Sequence, residues 1–236
     1  MNKPLIRSLF VLAIALTSTA AFAADPAVGV AEFRNDSGAA WWRGGVGNDL
    51  AGMLSNELAS TGKFRVVERK KLQGVIDEQD LSEAGRVSNA TRVKSGKLTG
   101  AKYLVYATVT SYEENVKGGG GGISFRGINV GGKKNEAYIA VDLRVVDTTT
   151  GDIAFSRSVE ARAGGKGINL GLYRGGFGGN LNKEENTPAG KAIRGVIIEI
   201  SEYLSCAMVE QGDCMDAYDA KDTSRKEKTK KSIKLD

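Results

Sequence analysis

Two glycine-rich stretches constrain this chain more than any other feature. The first, GGGGGISFRGINVGG at 118–132, holds eight glycines in fifteen residues. The second, GGKGINLGLYRGGFGG at Gly164–Gly179, holds eight in sixteen, and together they take 16 of the chain's 31 glycines. Glycine at this density cannot sustain a helix and weakens a strand that stands alone. A phosphate-binding loop needs a strand before it and a helix N-terminus after it, so that backbone amides and the helix dipole meet the anion. The first stretch instead runs from YEENV into further strand, and no GxxxxGK[ST] loop is present. A simple linker does not explain why a second such stretch follows the next long strand. The two are read as paired strand extensions of one domain.

The rest of the body reads as an α/β core. AVGVAEFRN (Ala27–Asn35) is a buried first strand, closed by the turn signal NDSG. A helix follows over Val46–Ala59, with Val46, Leu50, Met53, Leu54 and Leu58 on one face and Gly62 beyond its end. KFRVVER is a second short strand, and KKLQGVIDEQ a short helix with Leu72, Val75 and Ile76 inward. NATRVKSGKLTG is a weak helix or turn; AKYLVYATVTSYEENV is a long strand rich in Val, Thr and Tyr. In EAYIAVDLRVV, Tyr138, Ala140, Asp142 and Arg144 alternate with Ile139, Val141, Leu143 and Val145, giving one wet and one dry side. TTTGD turns this strand into its partner IAFSRSVEARA, a hairpin. Last comes an amphipathic helix, Ala189 to about Met208, lined by Ile193, Val196, Ile197, Ile200, Tyr203 and Leu204.

The ends carry their own information. MNKPLIRSLFVLAIALTSTAAFAADP has Lys3 and Arg7 ahead of a short apolar run and a small-residue site at Ala21–Ala23, the layout of a cleaved secretory signal over residues 1–23. The run falls short of the roughly 20 apolar residues needed to span a bilayer as a helix. No later stretch is long enough either, so any spanning would be done by strands. In an exported chain the two cysteines, Cys206 and Cys214, are expected to form a local disulfide. The formal charge is +5, but the signal carries +2 and KDTSRKEKTKKSIKLD (Lys221–Asp236) carries +4, leaving −1 on the body. The basic character therefore belongs to the ends, which removes the basis for nucleic-acid binding. Residues 211–236 are expected to be a disulfide-clipped end and a basic, solvated, disordered tail; electrostatic contact of that tail with an acidic membrane surface or partner is the sharper alternative.

Enzymatic chemistry finds few residues to use. With no histidine there is no Ser-His-Asp or Cys-His nucleophile system and no imidazole ligand for a metal. Glu113, Glu114 and Asp142 lie scattered along strands, without the pairing that acid/base catalysis requires. No enzymatic function, cofactor or metal is expected.

Against this frame the residues resemble the CsgG/HfaB family of bacterial outer-membrane secretion proteins. The likeness is strongest in SYEENVKGGGGGISFRGINVGGKKNEAYIAVDLRVVDTTTGDIAFS (Ser111–Ser156), with RVVER at Arg65–Arg69 and LTGAKYLV at Leu98–Val105 as further landmarks. The resemblance implies a single periplasmic α/β domain over 24–210 that assembles with itself into a ring. Each subunit would lend two β-hairpins, near 116–140 and 162–184, to a shared outer-membrane β-barrel. Unfolded curli-type amyloid or adhesive subunits would pass through it, with accessory secretion proteins as further partners. The loop after the first strand, here NDSGAAWWRGG, would form the constriction, with Trp41 and Trp42 in the aromatic role. Three departures stand out. Family exporters carry a lipid-attachment cysteine at the cleavage site, where this chain has Ala24, so it is read as not a lipoprotein. The constriction loop is shorter and its tryptophans adjacent. The cysteine pair and lysine-rich end have no matching counterpart.

Membrane strands need about ten residues each, apolar on the lipid side and small or polar inside. In the second stretch Ile168, Leu170 and Leu172 share one side, and Ile139 and Val141 are expected to add to the lipid-facing set. In the first, Ile123 and Phe125 share a side, but Ile128 and Val130 fall on the other. That break marks either a hairpin turn near Arg126–Gly127 or the absence of a spanning pair. Two functions stay open: an export channel in the outer membrane, or a soluble, non-pore periplasmic module that binds another envelope component.

Overall fold

The computed structural model describes residues 25–114, 123–125, 128–130, 136–164 and 187–233. Residues 1–24, expected to hold the signal, and most of the second glycine-rich stretch, including Ile168, Leu170 and Leu172, lie outside the described residues. Chain order is β1 (Ala27–Asn35), α1 (Val46–Ser60), β2 (Arg65–Val66), α2 (Leu72–Glu83), β3 (Tyr103–Glu114), β4 (Ile123–Phe125), β5 (Ile128–Val130), β6 (Glu136–Asp147), β7 (Ile153–Gly164), α3 (Pro188–Ser205), a π-helical turn (Cys206–Glu210) and α4 (Asp213–Ser232).

Five strands form one mixed sheet in the order β2-β1-β3-β6-β7. β1 pairs parallel with β2 and β3, as expected when helical crossovers join the strands. β3, β6 and β7 pair antiparallel, through 147–153 in the case of the last two. Helices α1 and α3 cover one face. Period two in the strands, with a register shift after Val30 in β1, and 3.6 in the helices sends Val28, Val30 and Phe33, then Val105, Ala107 and Val109, then Ile139, Val141, Leu143 and Val145 toward them. From the helices come Leu50, Leu54 and Leu58 of α1 and the whole expected face of α3, Ile193 to Leu204, all buried. α3 starts where Thr187 Oγ1 accepts from the Gly190 amide at 3.0 Å and Pro188 occupies the first turn.

Three expectations are corrected here. Ile139 and Val141 are 1 % and 0 % exposed beneath α3, so the dry side of β6 faces the protein core and not lipid. Alternation reports a dry side, and α3 supplies the cover that a membrane would otherwise supply. Val75 of α2 is 42 % exposed, while Leu72 and Ile76 are only half-buried, so this helix does not dock its apolar side in the core. The lysine-rich end is not a disordered tail: residues 213–232 form α4.

α4 has no buried residue and no apolar stripe, so its attachment needs another cause. Cys206 and Cys214 are joined by a disulfide that ties the π-helical turn to its first turn, as expected. Met215 and Tyr218 pack against the core margin, and the Tyr203 and Tyr218 rings meet at 5.4 Å. Burial, then the Glu199 and Glu202 carboxylates, push the Tyr218 hydroxyl up to about 12. Along its length Lys221 pairs with Glu199 at 2.8 Å and Lys226 with Asp222 at 2.6 Å. Asp213 and Asp216 in the first turn and Lys230 and Lys231 in the last complement the helix dipole. The disulfide closes a loop of eight-residue separation. Replacing both cysteines with serine should lower unfolding free energy by about 2.5 kcal/mol, read from urea midpoints, because the unfolded chain regains that loop's freedom.

Candidate functional site

The sheet has two unlike ends. At one, β3 finishes at Glu114 and runs toward the first glycine-rich stretch, and β6 resumes at Glu136. At the same end β7 finishes at Gly164, paired with Glu136, and runs toward the second. The parallel strand β1 also points this way: Asn35 lies opposite Val109, and the Asp36 amide donates to the Val109 carbonyl at 2.9 Å. The loop carrying Trp41 and Trp42 therefore leaves the sheet at the end from which both excursions leave. Within the first excursion, β4 and β5 pair antiparallel with Phe125 opposite Ile128. The chain thus reverses between them, which accounts for the break in alternation seen in the sequence.

Local chemistry folds the tryptophan loop back onto the sheet. Asn35 Oδ1 accepts from the Ser37 amide at 3.0 Å and its hydroxyl at 2.6 Å, and the Trp42 amide donates to the Ala39 carbonyl at 3.1 Å. α1 then begins hard against β1. A Cβ on Gly47 would sit 2.5 Å from the Phe33 carbonyl oxygen and 3.2 Å from the Trp42 ring, so only glycine permits this approach.

Trp41 and Trp42 are half-buried against the core, with ring centroids 5.6 Å apart. Tyr112 completes the cluster, edge-on to Trp41 at 5.2 Å. Simple alternation along β3 hides this residue. A bulge between Val109 and Ser111 shifts the register, so that Tyr112 lies opposite Ile139 and shares its side of the sheet. Its hydroxyl donates to the Glu114 carboxylate. The only signal in the sequence is a third tyrosine, near the end of a strand that already carries Tyr103 and Tyr106. The Trp41 indole nitrogen is buried and, among the described residues, has no acceptor.

The opposite face of the same end is polar. Tyr138 and Arg162 are cross-strand partners, with the guanidinium 4.9 Å from the ring centroid. The Glu160 carboxylate lies beside the Tyr138 hydroxyl. Asp142 accepts from the Ser158 hydroxyl at 2.6 Å. These carboxylates thus serve the solvated strand face. Among the described residues no group of three or more Cys, Asp or Glu is placed to hold a metal ion, and no helix is long and apolar enough to cross a membrane.

Comparison with known proteins bears on this end of the sheet. A family profile described as "Curli production assembly/transport component CsgG" matches residues 11–233. Curated relatives of that name from Escherichia coli K12 and Salmonella typhimurium are each 31 % identical over 133 residues, covering 55 % of this chain and 48 % of theirs. The matched part spans about half the length of those relatives. Among solved structures, a PelC dodecamer from Paraburkholderia phytofirmans aligns at 12 % identity and a TM-score of 0.38, over 74 % of this chain and 85 % of that one. A hypothetical protein from Chlamydia trachomatis aligns at 15 % identity and 0.43, over 77 % and 98 %. The profile runs through the aromatic loop, the strand ends and α4 alike, and this chain belongs to the CsgG family, described as a curli production assembly/transport component.

Proposed function

We propose that this chain is the subunit of a ring-forming outer-membrane channel that exports unfolded curli-type amyloid or adhesive subunits. The observation that carries the reading is the convergence at one end of the sheet. Both glycine-rich excursions leave there, and so does the loop bearing Trp41 and Trp42. A barrel shared between copies needs its strands to rise together from one side of each subunit, and a constriction needs its aromatic groups at the mouth of that barrel. Closure would also satisfy the backbone groups that glycine-rich strands leave open on their own. Trp41 and Trp42 form the constriction in this reading. Lipid contact falls to the second excursion, through Ile168, Leu170 and Leu172, because Ile139 and Val141 belong to the core. Its partners are further copies of the same chain, the outer membrane, the exported subunits and accessory secretion proteins.

That loss of two lipid-facing candidates favours one alternative, a periplasmic member of the family that binds an envelope component without forming a pore. Electron microscopy of detergent-purified protein, with planar-bilayer recording of the same sample, separates the two. Rings with a central barrel and stepwise conductance are expected, and W41A/W42A should raise the unit conductance by widening the constriction. Monomers that never conduct would sink the channel reading; rings whose conductance ignores the double substitution would remove the tryptophans from the constriction.

A further inference from the structure

The lysine-rich half of α4 is absorbed neither by the core nor by the channel reading, and its position is informative. α4 runs alongside β7 in the same direction. The Arg157 guanidinium donates to the Tyr218 carbonyl, and Arg225 approaches Glu160 at 4.0 Å. From 218 to 225 a helix advances about 10 Å, and from 157 to 160 a strand advances about 10 Å. The two elements therefore stay level. A further seven helix residues bring Ser232 to the height of β7's last residues, next to the departing excursion. A cleft of about 990 Å³ between them is accordingly lined by Tyr138, Arg162, Lys228 and Ser232.

Tyr218 and Arg225 mark the side turned to the sheet. At about 100° per residue, Lys230 and Lys231 lie on the side turned away, while Lys226 and Lys228 stand on its two flanks, Lys228 at the rim of the cleft. All four are exposed, and Glu227 is the one acidic residue among them. The helix offers no apolar stripe with which to enter a bilayer, so whatever it meets is held by charge at a surface.

We propose that the lysine-rich last turns of α4 (Lys226–Lys231) dock on an anionic phospholipid bilayer. The disulfide, the Arg157 contact and the Arg225–Glu160 pair hold them at the level where the strands leave the sheet. Their place beside a membrane rests on the channel reading; their affinity for anionic lipid is measurable without it. The contact supplements the strand excursions with an electrostatic foothold on the lipid headgroups.

Vesicle flotation of the full mature chain tests this, with phosphatidylcholine vesicles set against phosphatidylcholine containing phosphatidylglycerol. Binding to the anionic vesicles alone is expected at low salt, weakening steeply as salt is raised. Each lysine near such a surface contributes about fivefold, so K226Q/K228Q/K230Q/K231Q should lose roughly six hundredfold. Circular dichroism is expected to be unchanged, since all four side chains are exposed and none belongs to the core. Wild-type affinity in the quadruple variant, or equal binding to neutral vesicles, overturns the proposal. Conductance in a neutral bilayer is read separately. Lysine-dependent binding without channels leaves this inference standing and removes the channel reading, whereas channels with lysine-independent binding do the reverse.

Discussion

For the proposed channel, replacing residues 167–184 with a short glycine-serine linker is expected to abolish conductance and leave the sheet folded. The expectation follows from where the chain's structural work is done. The described core is built from residues between Val28 and Ala163 and between Ala189 and Ala207. β7 is paired with β6 as far as Gly164, and α3 restarts with its own Thr187 cap. Shortening a surface excursion changes loop-closure entropy only slowly with length, so the urea midpoint should shift by less than about 1 kcal/mol. Conductance behaves differently. A barrel whose strands come from every subunit cannot close if each subunit withholds a pair, and an open strand edge is not tolerated in hydrocarbon. The loss is therefore all-or-none. Planar-bilayer recording checks it, and a variant that still conducts would show that the second excursion lies outside the barrel.

Much of this arrangement can be read from the sequence, and the parts that cannot share a physical cause. β1, α1, the β6–β7 hairpin and α3 appear where expected because their apolar residues keep a clean period, and burial follows period. The same pattern cannot say what covers the dry side. Ile139 and Val141 alternate as a lipid-facing strand would, and only the packing of α3 decides for the core. The tryptophan loop is legible from NDSG and two adjacent indoles, but Tyr112 is not, because a single bulge reverses its side. α4 is the largest departure. Its composition is that of a solvated tail, and nothing periodic marks it as helix. Its order comes from tertiary contacts with residues far away in sequence, chiefly Arg157, which in the strand pattern looks like any other polar position.

Arg157→Ala is expected to release α4 and to lower stability by about 3 kcal/mol. Arg157 pairs with Leu143 across β6–β7, on the core side of the sheet, and its side chain is only 10 % exposed. An arginine there is tolerated because its surroundings match a flat cation. The guanidinium lies 5.0 Å from the Tyr203 ring centroid and 5.1 Å from that of Tyr218, joining α3 to α4 through two aromatic faces. In the same position it donates to the Tyr218 carbonyl and stands 3.7 Å from the Asp219 carboxylate. A charge-assisted hydrogen bond contributes about 1.5–3 kcal/mol, and a desolvated cation over an aromatic ring adds up to about 2 kcal/mol. The ion pair adds little, because Asp219 is 71 % exposed and keeps its hydration when the partner is gone. Arg157→Lys should recover only part of the loss, since an ammonium cannot stack between two rings while reaching the carbonyl. Thermal unfolding followed by circular dichroism, together with proteolysis at the α4 lysines, reads both effects. Wild-type protection of α4 in Arg157→Ala would show that the disulfide alone positions this helix. It would also predict that C206S/C214S, and not the arginine substitution, separates α4 from the edge strand.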